Sequence, residues 1–358
     1  MYESINNSTA VLVPAHNEEL VISKTLQSIL NLVSPDDLYV IDDGSKDNTS
    51  KIAKIFTKNV LSIPNRGKAV ALNTAIKYFN LTKRYKYILF MDADTMPDKN
   101  FLKYALKHFE DDSKNEIVCV VGRVKGFGIN WISKFRQWEY QISHLIHKKA
   151  QGFIKSIVVL PGCATIYKSF IFDLIKFPTG TLTEDMDFTF TMHRLGFNKM
   201  VFENKAIVFT QDPQTLRDYS RQLHRWYTGF WQVVRKHNIP WQGQTLDLEV
   251  SMLAIEGLYN GLLVFLLIFS LIPLAVTKQL TVFKIPVSID FFLFFIPTLL
   301  WSSFSDKDYL RVLYIPHFYF LRVFSCVIFL SSFFRGYLSL EKEYTWQSRR
   351  NIFRKEEL

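Results

Sequence analysis

The sequence predicts an α/β protein with a mostly parallel sheet, followed by an α-helical membrane tail. Three observations predict it. Short β-rich apolar runs alternate with stretches whose apolar residues recur at helical spacing, as in a βαβ chain. Several of the strand runs end in acidic turns, at the sheet edge where ligands gather in such folds. Most long apolar runs lie after Glu249, while the first two-thirds reads as an ordinary soluble protein.

The alternation begins at Thr9–Pro14, a strand, which feeds the helical "HNEELVISKTLQSIL". It recurs where "LYVI" ends at Asp42-Asp43-Gly44-Ser45 before "KDNTSKIAKIF", and where "YKYILFM" ends at Asp92 before "DKNFLKYALKHF". "EIVCVVGRV" and "AIVF" are further strands. Two later helices are amphipathic and basic. The first, "WISKFRQWEYQISHLIHKK", carries Trp131, Phe135, Trp138, Ile142, Leu145 and Ile146 along one face. The second, "LRDYSRQLHRWYTGFWQVVRKH", repeats the pattern with Leu216, Tyr219, Leu223, Trp226, Phe230 and Val233. Such stripes suit a membrane interface or a packed core. The tail supplies apolar segments at about Leu253–Val276, Phe283–Leu300 and Tyr309–Leu340, the last interrupted by Pro316, His317 and Arg322. A span needs about 20 apolar residues, so the first is a full span and the second is short.

The organisation read from this is a cytosolic catalytic head over 1–212, with an amphipathic interface helix at 131–150. A second interface region at 213–250, transmembrane helices over 251–340 and a basic end over 341–358 complete it. The start, "MYESINNSTAVLVPAHNEE", lacks the basic and apolar pattern of a secretion signal, which favours a cytosolic head. Three spans would then carry the basic "WQSRRNIFRKEEL" outside, against the positive-inside rule, so the number of true spans stays open.

Net charge is +10 over 358 residues, which suits an anionic partner: a phosphorylated small molecule, an acidic membrane face or nucleic acid. No nucleic-acid-binding motif accompanies the basic residues, so nucleic acid is not expected. Cys119, Cys163 and Cys326 show no CxxC spacing and read as buried thiols rather than zinc ligands or disulfides. Neither a Walker GxxxxGK[ST] nor a GxGxxG occurs, which disfavours ATPase and dinucleotide chemistry.

Chemistry concentrates in four places. "YILFMDADTMPD" drives a buried strand into Asp92 and Asp94, whose repulsion a hard divalent cation shared with ligand phosphates would relieve; helix capping is the plainer reading. Asp42-Asp43-Gly44-Ser45 offers carboxylates to a base or ribose, or is simply a turn. "NRGKAVALNTAI" sets Gly67-Lys68 at a helix start, with Lys68 within reach of a phosphate or merely solvated. Thr183-Glu184-Asp185-Met186-Asp187 could present a tuned general base or a capping cluster. Gln222, Arg225 and Trp226 share one stretch of the second amphipathic helix, where Arg225 could neutralise a diphosphate and Trp226 stack or anchor.

In this order, "VPAHNEE", "DDGS", "NRGKAVALN", "DAD", "PGCATIYK", "TED" and "QLHRW" resemble the membrane-embedded processive glycosyltransferases of family two, the cellulose, chitin, hyaluronan and poly-N-acetylglucosamine synthases. The resemblance covers about Val11 to Trp226. It implies a GT-A (Rossmann-like) catalytic domain, a UDP-sugar donor, a divalent metal (Mg²⁺ or Mn²⁺) and an inverting displacement. Matched by motif, Asp43 and the loop of Pro14, Ala15, Asn17 and Glu18 would hold the uridine, supported by Lys68. Asp92 would contact the nucleotide or sugar, with Gly162 also against the substrate, and Asp94 would ligate the metal. Asp185, beside Glu184, would be the catalytic base. Gln222, Arg225 and Trp226 match QxxRW, which closes over the diphosphate and lines the acceptor terminus.

The same resemblance implies a carbohydrate or lipid-linked acceptor, a lipid bilayer around the tail, and an accessory membrane subunit or a second copy as partners. Three departures stand out. Leu223 occupies the second QxxRW position and Lys168 follows "ATIY", where arginine is common, and the spans that precede the catalytic domain in many synthases are not seen. A non-processive transferase that adds one sugar to a lipid-linked acceptor shares the DAD and DDGS chemistry and is the competing expectation; an inactive membrane-tethered partner subunit is a third.

Overall fold

The computed structural model describes residues 8–276 and 284–338. In chain order they form β1 (Thr9–Ala15), α1 (Ile22–Ile29), β2 (Leu38–Asp43), α2 (Thr49–Phe56), β3 (Val60–Ile63), α3 (Lys68–Tyr78), β4 (Tyr87–Phe90), β5 (Thr95–Pro97), α4 (Phe101–Glu110), β6 (Cys119–Phe127), α5 (Trp131–Ile142), β7 (Thr165–Lys168), α6 (Glu184–Arg194), β8 (Met200–Gln211), α7 (Leu216–Lys236), α8 (Thr245–Val276), α9 (Ile296–Asp306) and α10 (Ile315–Phe333), with shorter helical turns between them. The chain divides into two compact units. Among the described residues, the first holds 8–127 together with His147–Gln211; the second holds Gly128–Ile146 and those from Asp212 to 338. The first amphipathic helix therefore leaves the head it interrupts in sequence.

The first unit is built on one eight-stranded sheet of order β3-β2-β1-β4-β7-β6-β8-β5. Strands β1, β2, β3 and β4 pair in parallel, as the alternation of strands and helices predicts. Register sets Ala15 of β1 opposite Asp42 of β2, and Leu12 opposite Phe90 of β4. The carboxyl ends of these three strands thus share one edge, and Asp43 and Asp92 emerge there.

The sheet is mostly parallel, as expected, with β6 and β8 also pairing in parallel, but two strands run the other way. β7 runs antiparallel between β4 and β6, and β5 runs antiparallel to β8. Both inserted strands are only three or four residues long, too short for the period-two pattern by which a strand is read from sequence.

The core beneath this edge is aromatic. Phe188 of α6 stacks on Phe172 at 5.6 Å and on Phe177 at 4.5 Å, and Phe90 of β4 meets both at 5.2 Å edge to face. Phe90 lies two residues before Asp92, and Phe188 three after Asp185. Each such ring pair contributes roughly 0.5–1.5 kcal/mol beyond area burial, so this cluster fixes the end of β4 against the start of α6.

In the second unit the apolar stripes of α5 and α7 face the tail helices. Phe135 and Trp138 of α5 and Tyr219 and Leu223 of α7 share a buried cluster with Leu299 of α9 and Phe318 and Leu321 of α10. Neither stripe is spent on the sheet's core, and their ends, Ile146 and Leu216, are exposed.

Among the described residues, three helices are long and apolar enough to cross a membrane: Thr245–Leu266, Val287–Asp306 and Tyr309–Leu338. They match the three segments read from sequence, except that Phe283, residues 339–340 and the basic end 341–358 lie outside the described residues. The polar interruptions of the third are accommodated. Pro316 sits in the first turn of α10, where its missing N–H costs nothing. Arg322 pairs with Asp290 at 2.6 Å, as an ionisable group within an apolar segment requires.

Candidate active site

The site in the first unit starts from two loops stitched together past the ends of β1 and β2. Asn17, held at a positive φ of 56°, donates its backbone N–H to Ser45 Oγ at 2.9 Å and accepts the Lys46 amide at 2.8 Å. The Glu18 amide donates to Thr49 Oγ1 at 2.7 Å. His16, which sequence reasoning passed over, is buried and donates from Nδ1 to the Asp43 carbonyl at 2.7 Å. Gly44 turns the chain at φ 71°, and a Cβ there would lie 2.6 Å from the Asn65 backbone nitrogen. Pro14 and Ala15 are the buried end of β1, so they contribute main chain rather than side-chain chemistry.

Asp43 is fully buried and accepts the amides of Arg66 and Gly67 at 2.8 Å, one on each carboxylate oxygen. It therefore anchors the turn that starts α3, and any base or ribose contact falls to the lone pairs that remain. The next residue along that turn is Lys68. Its Nζ donates to Asp92 Oδ1 at 2.5 Å and lies 3.4 Å from Glu184 Oε1. Burial alone would push the Lys68 ammonium down, but Asp92, Glu184 and Asp185 together hold it well above the ordinary lysine value. The lysine stays charged.

Glu184 and Asp185 occupy the first turn of α6, where the positive end of the helix favours acids. Asp187 in the same turn is a structural group: it is fully buried and accepts from Thr181 Oγ1 at 2.9 Å. Asp185 Oδ1 accepts the Met186 amide at 2.8 Å, which holds its carboxylate at the helix mouth. Asp94, two residues past Asp92, accepts from Thr95 Oγ1 at 3.3 Å.

The extended segment before Gly162 is tied along α6. Leu160 N–H donates to Thr189 Oγ1 at 3.1 Å, and His193 donates to the Ile157 carbonyl at 2.9 Å. Lys148, buried and unremarked in the sequence, completes the anchorage by donating to the Val159 carbonyl at 3.0 Å. Burial pushes its ammonium down to about 8, against the pull of Cys163 and Asp185. The segment delivers Gly162 to Lys68, where a Cβ would stand 3.1 Å from Nζ. Cys163 beside it is buried and pushed up by desolvation and then by Asp92, with Lys68 opposing and Asp94 and Asp185 adding.

The cluster is two-sided: Asp92 and Asp94 from the end of β4, Glu184 and Asp185 from the start of α6, with Lys68 between. Among the described residues no three His, Cys, Asp or Glu side chains converge as a ready metal cage. The hard oxygen donors still fit Mg²⁺ or Mn²⁺, which are commonly held by one or two carboxylates with substrate phosphates completing the shell.

Gln222, Arg225 and Trp226 belong to the second unit, on α7. Gln222 is buried, Arg225 exposed and Trp226 half-buried. Trp226 lies over the Arg136 guanidinium at 4.9 Å.

Residues 10–174 match the model of Glycosyl transferase family 2. The poly-beta-1,6-N-acetyl-D-glucosamine synthase of Staphylococcus epidermidis is 28% identical over 291 residues, which cover 78% of this chain and 69% of the relative. The enzyme of the same name from Staphylococcus aureus is 30% identical over 230 residues, covering 62% of this chain and 54% of the relative. Among solved structures, the mannosyltransferase PcManGT from Pyrobaculum calidifontis, in complex with GDP-Man and Mn²⁺, superposes with a TM-score of 0.61 at 17% identity. The match covers 90% of this chain and 87% of that one, a likeness of fold.

Proposed function

We propose that this chain, whose residues 10–174 match the model of Glycosyl transferase family 2, is such a transferase and moves N-acetylglucosamine from a UDP-sugar to a growing β-linked polysaccharide, with inversion at the anomeric carbon. The observation that carries the reading is the convergence of Asp92, Glu184 and Asp185 on Lys68. The cation suits a diphosphate leaving group, and a carboxylate beside it suits a nucleophile that must lose its proton. The similarity to poly-beta-1,6-N-acetyl-D-glucosamine synthases supports the sugar and the polymeric product.

In this reading the uridine lies against the loop of Pro14, Ala15, Asn17 and Glu18, with Asp43 holding the turn that presents Lys68. Lys68 turns from Asp92 toward the diphosphate as charge develops there. Asp94 would hold the divalent ion, which supplies charge neutralisation to the leaving group. Asp185 takes the proton of the acceptor hydroxyl as that oxygen bonds to the anomeric carbon, and the bond to UDP breaks on the opposite face. Glu184 keeps Lys68 charged, and Gly162 leaves the space in which its ammonium moves. Gln222, Arg225 and Trp226 serve the diphosphate and the acceptor terminus, as QxxRW does in the enzymes they resemble. The head works on the cytoplasmic face, where UDP-sugars are made, and the three apolar helices set it in the bilayer.

The test is to incubate the purified full chain with a panel of labelled UDP-sugars and Mg²⁺ or Mn²⁺, and to size the products. Metal-dependent UDP release with UDP-N-acetylglucosamine and a ladder or high polymer is the expected result. Release with another sugar overturns the donor assignment, and a single-addition product overturns processivity in favour of a one-sugar transferase.

A further inference from the structure

The second unit contains a charged group that neither the motifs nor the fold accounts for. Arg136 of α5 is 3% exposed, and its Nη1 pairs with Glu139 Oε2 at 2.9 Å. Its guanidinium carbon lies 4.7 Å from the ring centre of Tyr219, 4.9 Å from that of Trp226 and 5.7 Å from that of Tyr140. The Tyr140 and Trp226 rings are 6.5 Å apart. The remaining edge of the guanidinium, Nε with Nη2, is buried and has no hydrogen-bond partner among the described residues. Gln222 shows the same condition: it is 8% exposed, and both polar atoms of its amide have no partner among the described residues. Tyr219, Gln222 and Trp226, spaced by three and four on α7, share a helix face.

Buried polar atoms in folded proteins are nearly always paired, so the two orphaned nitrogens on one edge of the Arg136 guanidinium mark a place with a missing partner. An ion pair kept only for packing would be no worse as apolar side chains. Glu139 already neutralises the arginine, which argues for a neutral ligand rather than a phosphate. A planar two-donor edge asks for two adjacent oxygen acceptors, and the Trp226 ring beside that edge suits an apolar ring face. A pyranose supplies both, through vicinal oxygens on its rim and C–H groups on its face.

We propose that Arg136 is a sugar-contacting residue of the acceptor subsite, taking two adjacent oxygens of the acceptor's terminal residue on its Nε–Nη2 edge while its stacking sets the plane of Trp226. The inference rests on the transferase reading above and extends it to a residue outside QxxRW.

The experiment measures initial rates with the full chain in detergent or nanodiscs, varying UDP-N-acetylglucosamine and a β-1,6-linked N-acetylglucosamine oligosaccharide separately. Arg136→Met alone would leave the Glu139 charge with only the Tyr219 hydroxyl as donor, so the double variant Arg136→Met/Glu139→Gln is compared with wild type. The expected result is an acceptor KM raised about tenfold or more, the loss of a charge-assisted hydrogen bond, with donor KM and acceptor-independent UDP-sugar hydrolysis unchanged. Arg136→Lys, which keeps the charge without the planar edge, should fall between. An unchanged acceptor KM in the double variant overturns the proposal, and so does an equal loss of donor and acceptor binding, which a purely structural role would produce. Trp226→Ala separates the two levels. If it leaves acceptor KM untouched, the acceptor reading of QxxRW fails; if it raises acceptor KM while the Arg136 variant does not, only the Arg136 assignment fails.

Discussion

The ammonium of Lys68 lies 2.5 Å from Oδ1 of Asp92, the residue that opens the DAD turn just past the end of β4. The same ammonium reaches Glu184 at 3.4 Å, so one lysine links the end of a strand to the start of a helix about ninety residues later. Replacing Lys68 with Met leaves two carboxylates facing each other. Asp92 is about one-third exposed at its side chain, so solvent screens part of the cost, and a loss of roughly 1–2 kcal/mol is expected. Chemical denaturation of the variant should show that loss, and UDP titration should show weakened nucleotide binding. Unchanged UDP affinity would remove Lys68 from the donor site.

Gly162 gives a milder perturbation of the same group. A Cβ at this position meets the far end of Lys68 rather than backbone, so Gly162→Ala should fold and displace the ammonium by a few tenths of an ångström. A severalfold rise in donor KM at nearly wild-type stability is expected. Steady-state kinetics beside a melting curve checks both, and an unaltered donor KM would show that Lys68 has room to spare.

Asp185→Asn keeps the side chain's volume and its hydrogen bond from Met186 but removes the base. Transfer should fall by about 10²–10⁴-fold, while UDP binding measured by calorimetry stays close to wild type. Loss of nucleotide binding in a folded variant would move Asp185 from the base to the donor pocket.

The carboxylate assigned to the metal has its own readout. With Asp94→Asn, the Mn²⁺-dependent increase in UDP affinity should disappear while metal-independent UDP binding persists. Chelation of wild type by EDTA should abolish turnover and be reversed by added Mg²⁺ or Mn²⁺. Persistence of the Mn²⁺ effect in the variant would point to Asp92 as the ligand instead.

Lys148 sets a pH dependence. Its folded-state value of about 8 lies below that of an unfolded lysine, so the folded protein prefers the neutral amine. Its contribution to stability is present above the unfolded value and is lost as pH falls toward and through 8. Wild type should gain stability between pH 8 and 10 from this group, and Lys148→Met should flatten that slope in thermal melts across the range. An identical slope in the variant would mean that other groups carry it.

Much of this was legible in the chain. The parallel half of the sheet followed from apolar runs that end in acids, and the positions of Asp43, Asp92 and Asp185 at strand or helix ends followed with it. The three apolar helices were legible because membrane-length runs need no partner to be recognised. β7 and β5 escaped because a three- or four-residue strand has too few positions to show a period, and their antiparallel direction is set by neighbours distant in sequence. His16 and Lys148 escaped for a related reason: an isolated histidine or lysine reads as solvated until its burial is known.

The sequence by itself determined which chemical groups are available and where local structure begins and ends, since strand, turn and cap depend on a few adjacent residues. It could not assign the partners of those groups. Tertiary structure turned Asp43 into the anchor of the Lys68 turn, paired Lys68 with carboxylates from two elements, and spent the stripes of α5 and α7 on the tail helices. Each of those outcomes depends on side chains brought within a few ångströms by the packing of Phe90 against Phe172 and Phe177, or of Phe135 against Phe318. Such contacts join residues tens to hundreds of positions apart, and no local pattern in the chain encodes them.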